Sequence, residues 1–301
     1  MKIKKECFSC LNNQCQQTLH LASLSQETSQ KITTTITSLL HSLHHIQAPP
    51  PQVAIDVYDS IASISCISDI YQSIKAECIH KAREITDFVL KNKPLFQNPH
   101  AYLKWAIKIA ALGNIIDYGS QTKFDIHTQN FNLENLDFGL FDFDEFAHKL
   151  ESSKTLLYFG DNAGENIFDE VLLEALKTLY PHVHLIYLTR GSPIINDITF
   201  ADLHFYPECK KIFEICEVQD SGVKSPGFIY ELANTKTQKL FDKADLILAK
   251  GMGNFECLES RADSRVFLLF KIKCEVVANH LNIPIGKMIF RQNTKTYSQN
   301  F

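Results

Sequence analysis

The chain has no marked excess of either charge, no long apolar run and no recurring unit, and each absence removes a class of function. Thirty Lys and Arg against 34 Asp and Glu leave a formal net charge of −4. The concentrated positive potential that nucleic acid or an anionic membrane surface requires is therefore missing. No stretch approaches the roughly 18 apolar residues of a membrane span, and the basic start MKIKKECFSCLNNQCQQTLH lacks the apolar core of a secretory signal. These features predict a cytoplasmic protein whose partner is a small molecule, with no nucleic acid and no membrane; they are silent on oligomeric state. Nine cysteines, an odd number at mostly isolated positions, fit reduced thiols better than a disulfide framework. Two nucleotide-binding loops are missing as well, for neither Gly-x-x-x-x-Gly-Lys-Ser/Thr nor Gly-x-Gly-x-x-Gly occurs.

What is present is a change of character along the 301 residues. From Leu11 to about His45, Leu and Ile recur near helical spacing. The prolines of QAPPPQVA, Gln47 to Ala54, then read as a connection, since consecutive prolines do not join a helix interior. Further helical patterns run from Ile67 to Leu90 and from Ala101 to Ile116. The acidic, aromatic stretch His127 to Leu150 is the best boundary region, and the chain divides into a helical part, 1–125, and a second part, 126–301. Beyond it, short apolar runs alternate with helical patterns: Thr155 to Phe159, Val183 to Leu188, Ile212 to Val218, Asp245 to Ala249 and Val266 to Phe270. Such alternation predicts an open, mainly parallel α/β sheet covered on both faces.

Ligands of such sheets sit beyond the carboxyl ends of the strands. Four polar clusters follow expected strands directly: GDNAGE, TRGSPIIND, QDSGVKSPG and KGMGNFE. Asp161, Asn162 and Asp197 offer hard oxygen ligands suited to Mg²⁺ or Mn²⁺, with Co²⁺ and Ni²⁺ also open. Asp161 also reads simply as a helix cap. Lys250, followed by Gly251 and Gly253, has the charge and the backbone freedom for phosphate, or is a solvated lysine at a strand end. Asp220 and Ser221 can supply a base or a hydroxyl donor, or form an ordinary turn, and Arg190 and Asn196 carry the same ambiguity. The convergence of four clusters on one sheet edge favours a single site.

In that order and spacing, GDNAGENIFD, RGSPIIND, DSGVKSPG and AKGMGNFE resemble the damage-control metal phosphatase family, once a domain of unknown function and also called acidic-residue-methyltransferase-like. The likeness extends to CFSC (Cys7 to Cys10), DIYQSIK, LGNIIDYG and FLLFKIKC, which covers nearly the whole chain and points to a CxxC-containing prokaryotic branch. It implies a three-layer α/β/α Rossmann-like domain with a helical N-terminal region, and hydrolysis of phosphate esters with one divalent cation, Mn, Co, Ni or Mg. The implied metal ligands are Asp161, Asn162 and Asp197; Lys250 is implied as a phosphate contact, with Asp220 nearby. Met252 departs from the polar residue expected there.

The expected reaction is hydrolysis of a phosphomonoester of a small metabolite, a sugar phosphate or a damaged phosphorylated cofactor intermediate. Asp161, Asp197, Asp220 and Lys250 are its candidate catalytic residues, and Asn114, Asp117, Arg190, Asn196, Ser221, Lys250 and Gly251 its candidate substrate contacts. Water is the expected nucleophile, with Asp220 as base and an aspartyl-phosphate route through Asp161 as the other possibility. The alternatives are a protein carboxyl methyltransferase and a non-catalytic binding module for a metal or a phosphorylated metabolite. Cys7 and Cys10 supply only two of the four ligands a zinc site takes, so packing is the simpler reading of them. Glu165 opens a helix and reads as a capping or outer group rather than a ligand.

Overall fold

The computed structural model describes residues 1–114, 133 and 136–294. Five helices come first: α1 (Lys5–Ala22), α2 (Gln26–Ser42), α3 (Pro50–Ser65), α4 (Gln72–Lys91) and α5 (Pro99–Leu112). The remainder runs β1 (Phe138–Phe141), α6 (Phe143–Ser152), β2 (Thr155–Phe159), α7 (Glu165–Leu179), β3 (His184–Thr189), α8 (Phe200–Phe205), α9 (Ile212–Ile215) and β4 (Glu217–Asp220). It ends with α10 (Thr235–Lys243), β5 (Leu246–Lys250), α11 (Met252–Leu258), β6 (Val266–Lys271), α12 (Glu275–Leu281) and β7 (Met288–Gln292). The expected three-layer α/β/α architecture with a helical N-terminal region is present.

The seven strands among the described residues lie in the order β1-β7-β6-β5-β2-β3-β4, parallel except where β6 meets β7. Strand β2 explains the layering. Its side chains alternate across the sheet: Leu156 and Tyr158 enter a core shared with α5 and α7, and Leu157 and Phe159 enter the opposite core with Phe241 of α10 and Phe255 of α11. Because both faces are covered, the strand reads as an unbroken apolar run. A third core joins α1, α2 and α3 through Leu11, Cys15, Ile32, Ile36, Val57 and Ile61 and reaches Ile194 in the loop after β3. The helical region is thereby seated on that loop. From β2 the chain proceeds outward to β3 and β4, then returns to the other side of β2 as β5. The carboxyl ends of β2 and β5 therefore flank the switch point, the crevice where such sheets bind ligands.

Several expectations need correction. The prolines of QAPPPQVA do end the preceding helical pattern, but Pro50 and Pro51 open α3 with Pro49 extended at the cap. At the first helical positions the missing N–H costs nothing and the fixed φ is already helical. Helix α4 starts at Gln72, later than Ile67, and α5 ends at Leu112. The run Ile212 to Val218 divides into one helical turn, which buries Ile212 and Ile215, and an edge strand beginning at Glu217. Strands β1 and β7 were not expected from sequence. One has only four residues, and the other pairs antiparallel to β6 instead of following the alternation. The boundary at 125–126 lies outside the described residues.

Candidate active site

Strand β2 delivers Gly160, Asp161 and Asn162 to the crevice before α7 starts at Glu165. Gly164 turns the corner at φ +92°, with the Cys78 carbonyl so close that a Cβ would lie 2.9 Å from it. The loop after β3 folds back over the same spot. Ile198 N–H donates to the Asp161 carbonyl (2.9 Å), Ala163 N–H donates to the Asn196 carbonyl (2.8 Å), and Asn162 and Asp197 form an antiparallel bridge. Two segments distant in sequence thus hold Asp161, Asn162 and Asp197 side by side. The loop carries a strained residue, Ile195, a β-branched side chain at φ +46°.

Arg190 ties the two acids together. Its Nε donates to Asp197 Oδ2 at 2.6 Å and its Nη2 to Asp161 Oδ1 at 3.1 Å, and the guanidinium is 2% exposed. Each carboxylate keeps its other oxygen. Asn162 Nδ2 donates to Glu165 Oε1 (3.0 Å) and to Asp161 Oδ2 (3.3 Å), an arrangement that leaves the Asn162 amide oxygen as the atom facing away from both carboxylates. Burial, and then the Glu165 and Asp197 charges, push the Asp161 carboxyl well above the usual carboxylate range despite Arg190. Burial also raises Asp197, against the lowering effect of Arg190. A hard divalent cation fits this donor set of two carboxylate oxygens and an amide oxygen.

Gly251 closes the crevice from β5. At φ +88° it lies so near Asp161 that a Cβ would sit 2.0 Å from Oδ2. Its N–H is not free for phosphate, because it donates to the Leu269 carbonyl at 3.0 Å.

Lys250, expected as a phosphate contact, does not line the cavity beside Asp161. The side chain is fully buried, and Nζ meets Asp169 Oδ1, Glu165 Oε2 and the Ala110 carbonyl, each at 2.8 Å, which uses all three of its protons. Burial works against the ammonium, but the Asp169 and Glu165 carboxylates more than offset it and hold the pKa above the usual lysine value. Asp169 in turn accepts from Tyr158 (2.7 Å) and Tyr187 (2.9 Å). Lys250 therefore supports the site from beneath, through Glu165. Asn114, also buried, donates to Glu165 Oε2 rather than facing a ligand. The expected base Asp220 is engaged elsewhere, since its Oδ1 accepts from Gly222 N–H at 2.6 Å, and Ser221 Oγ accepts from Val223 N–H at 3.2 Å. Both residues shape their own turn. Asp117 lies outside the described residues.

Above Asp161, Asn162 and Asp197 opens a cavity of about 1060 Å³, walled by α1, α3 and the first turn of α11 and α12. Asn196 lines it, as expected; Arg190, Lys250 and Asp220 do not. Sequence reasoning missed Lys273, which lines the cavity and whose charge acts to lower the Asp161 pKa. The signal was available, since Lys273 lies just past the end of β6 in FLLFKIKC. Cys7 and Cys10 also line the cavity. Burial pushes the Cys7 thiol up to about 11, and among the described residues no group of three or more His, Cys, Asp or Glu is arranged to hold a metal.

The profile of the damage-control phosphatase ARMT1-like domain matches residues 3–289. A damage-control phosphatase of Pyrococcus horikoshii is 27% identical over 294 residues, 97% of this chain and 99% of the relative. One of Archaeoglobus fulgidus is 28% identical over 291 residues, covering 96% and 98%. The crystal structure of a DUF89 family protein from Pyrococcus horikoshii superposes with a TM-score of 0.87 at 27% identity, covering 97% of this chain and 99% of that one.

Proposed function

The chain belongs to the damage-control phosphatase ARMT1-like domain family, and from that premise we propose that it is a divalent-metal-dependent phosphatase acting on phosphomonoesters of small metabolites. The observation that carries the reading is the grouping of buried Asp161 and Asp197 with half-buried Asn162 at the switch point of the sheet, facing a cavity with Lys273 on its wall. A bound cation, Mn, Co, Ni or Mg, supplies Lewis-acid stabilisation of charge on the phosphoryl oxygens. Asp161, Asn162 and Asp197 hold it, each carboxylate keeping one oxygen on Arg190 and presenting the other. Glu165 fixes the Asn162 amide so that its oxygen is the ligand. Lys273 neutralises a phosphate oxygen from the cavity side, the part first expected of Lys250. Water attacks phosphorus in preference to Asp161, whose Oδ1 is held by Arg190 and whose other oxygen is committed to the cation.

Phosphate release from a panel of sugar phosphates and phosphorylated cofactor intermediates, after chelation and re-addition of each cation, tests the reading. Asp161→Asn and Asp197→Asn should each lower metal-dependent kcat/KM by at least about 100-fold with the fold retained. A carboxyl methyltransferase would release no phosphate from any panel member, and that result ends the phosphatase reading. A phospho-aspartate trapped by acid quench would overturn the choice of water.

A further inference from the structure

One part of the cavity wall has a chemistry of its own. Glu256, on α11, lines it with Cys7 and Cys10 from α1 and Cys274 at the start of α12. Glu256 is 8% exposed. Among the described residues none hydrogen-bonds or ion-pairs with its carboxylate; the Met1 amino group donates to the Glu256 backbone carbonyl instead. A buried carboxylate without a partner is costly, and it gains most from a donor that arrives with a ligand. The surrounding groups are poor substitutes: burial raises all three thiols, which leaves them weak S–H donors, and the Met1 ammonium favours the ionised carboxylate only from the backbone side. Glu6 and Glu275 add two more carboxylates to the lining, and Lys273 is the only lysine or arginine among its described residues. Counting from Gly251, which touches Asp161, five residues at about 1.5 Å each put Glu256 roughly 7 Å further along α11, the reach of a sugar or an aromatic ring.

We propose that Glu256 reads the leaving group of the substrate, accepting a hydrogen bond from a hydroxyl, amide or ammonium and, with Glu6 and Glu275, turning away esters that carry a second anion. The substrate class is then a phosphomonoester with a neutral or cationic, donor-bearing leaving group, a proposal that rests on the phosphatase reading. The paired cysteines acquire a place in it as neutral walls beside the carboxylate.

Three rigid esters that differ in distal charge test this: 4-(aminomethyl)phenyl, 4-(hydroxymethyl)phenyl and 4-carboxyphenyl phosphate, with biphenyl homologues for longer reach. Both kcat/KM and the calorimetric Kd are measured on the metal-loaded enzyme at a pH above the value of about 7 to which burial raises Glu256, so that the carboxylate is ionised. The wild type should favour the aminomethyl and hydroxymethyl esters over the carboxylate by about tenfold or more, the worth of one charged hydrogen bond. Glu256→Gln should shrink that ratio, and Glu256→Asp should keep part of it; thermal melts confirm that both variants fold. Equal binding of the three esters by the wild type, or a ratio unchanged in Glu256→Gln, overturns the proposal. Charge-ranked binding without turnover would sink the phosphatase reading and leave the role of Glu256 standing.

Discussion

Gly251→Ala is the most exacting test of the site, because two separate effects can be read from the structure. The first is backbone strain: φ 88° and ψ 153° lie in a region that only glycine occupies comfortably, at a cost of about 1–3 kcal/mol for another residue. The second is collision. A Cβ would sit 2.0 Å from Asp161 Oδ2 and 2.2 Å from its Cγ, so the carboxylate must move by more than about 1 Å and leave its 3.1 Å contact with Arg190; a misplacement of that size costs about 100-fold in rate. Gly286→Ala separates the two effects. That residue also has a positive φ, +91°, but a Cβ there would meet nothing within 4 Å. Both variants should lose stability in urea titrations, by about 1–3 kcal/mol for the strain. Only Gly251→Ala should lose kcat/KM, and it should bind the activating cation more weakly in calorimetry. Equal activity in the two variants would refute the claim that Gly251 is there to admit Asp161.

Three further outcomes follow from buried charge. Lys250→Met leaves Asp169 and Glu165 without their cation and should cost about 3–5 kcal/mol in urea unfolding; a loss below about 1 kcal/mol would show that this pairing does not support the site. Glu256 is raised by burial from 4.5 to about 7, with the Met1 ammonium opposing the shift. The folded state therefore binds this proton more tightly than the unfolded chain, and the resulting stability is full below pH 4.5 and lost as pH rises through about 7. Glu256→Gln should accordingly gain on the wild type across that window, by up to about 3 kcal/mol, and melts showing a gap that does not vary with pH would contradict it. Cys7→Ser should leave the metal content of the purified protein unchanged, because the raised thiol is a poor ligand at neutral pH; stoichiometric zinc lost on substitution would refute that.

What was legible in the sequence was whatever depends on local order. The apolar runs of β2, β3, β5 and β6 and the turns that follow them announce themselves within ten residues, and the switch-point rule then gathers Asp161, Asn162 and Asp197 before any coordinates are known. Side-chain direction was not legible. Lys250 and Asp161 both stand at strand ends, yet one enters a buried network with Asp169 and the other faces a cavity, a difference settled by Ala110 and Glu165 from elements far away in sequence. Asp220 was ambiguous for a related reason. An Asp-Ser-Gly turn satisfies its own backbone, and nothing in three residues says whether the carboxylate is left over. The prolines before α3 show the limit of breaker rules, since a residue that stops one helix is also suited to start the next.

The cavity has two makers. Its floor comes from strand ends of the sheet, and much of its wall from α1 and α3, helices within residues 1–65 that rest on Ile194 and Ile195. The two can therefore change on separate schedules. Substitutions on the inward face of α1 can redraw the shape offered to a ligand without touching a single atom that meets phosphorus, whereas substitutions in the floor act on Asp161, Asn162 and Asp197 themselves. Exchanging the first three helices between two relatives would, on this geometry, transplant a preference for one compound over another while the reaction stayed where it was.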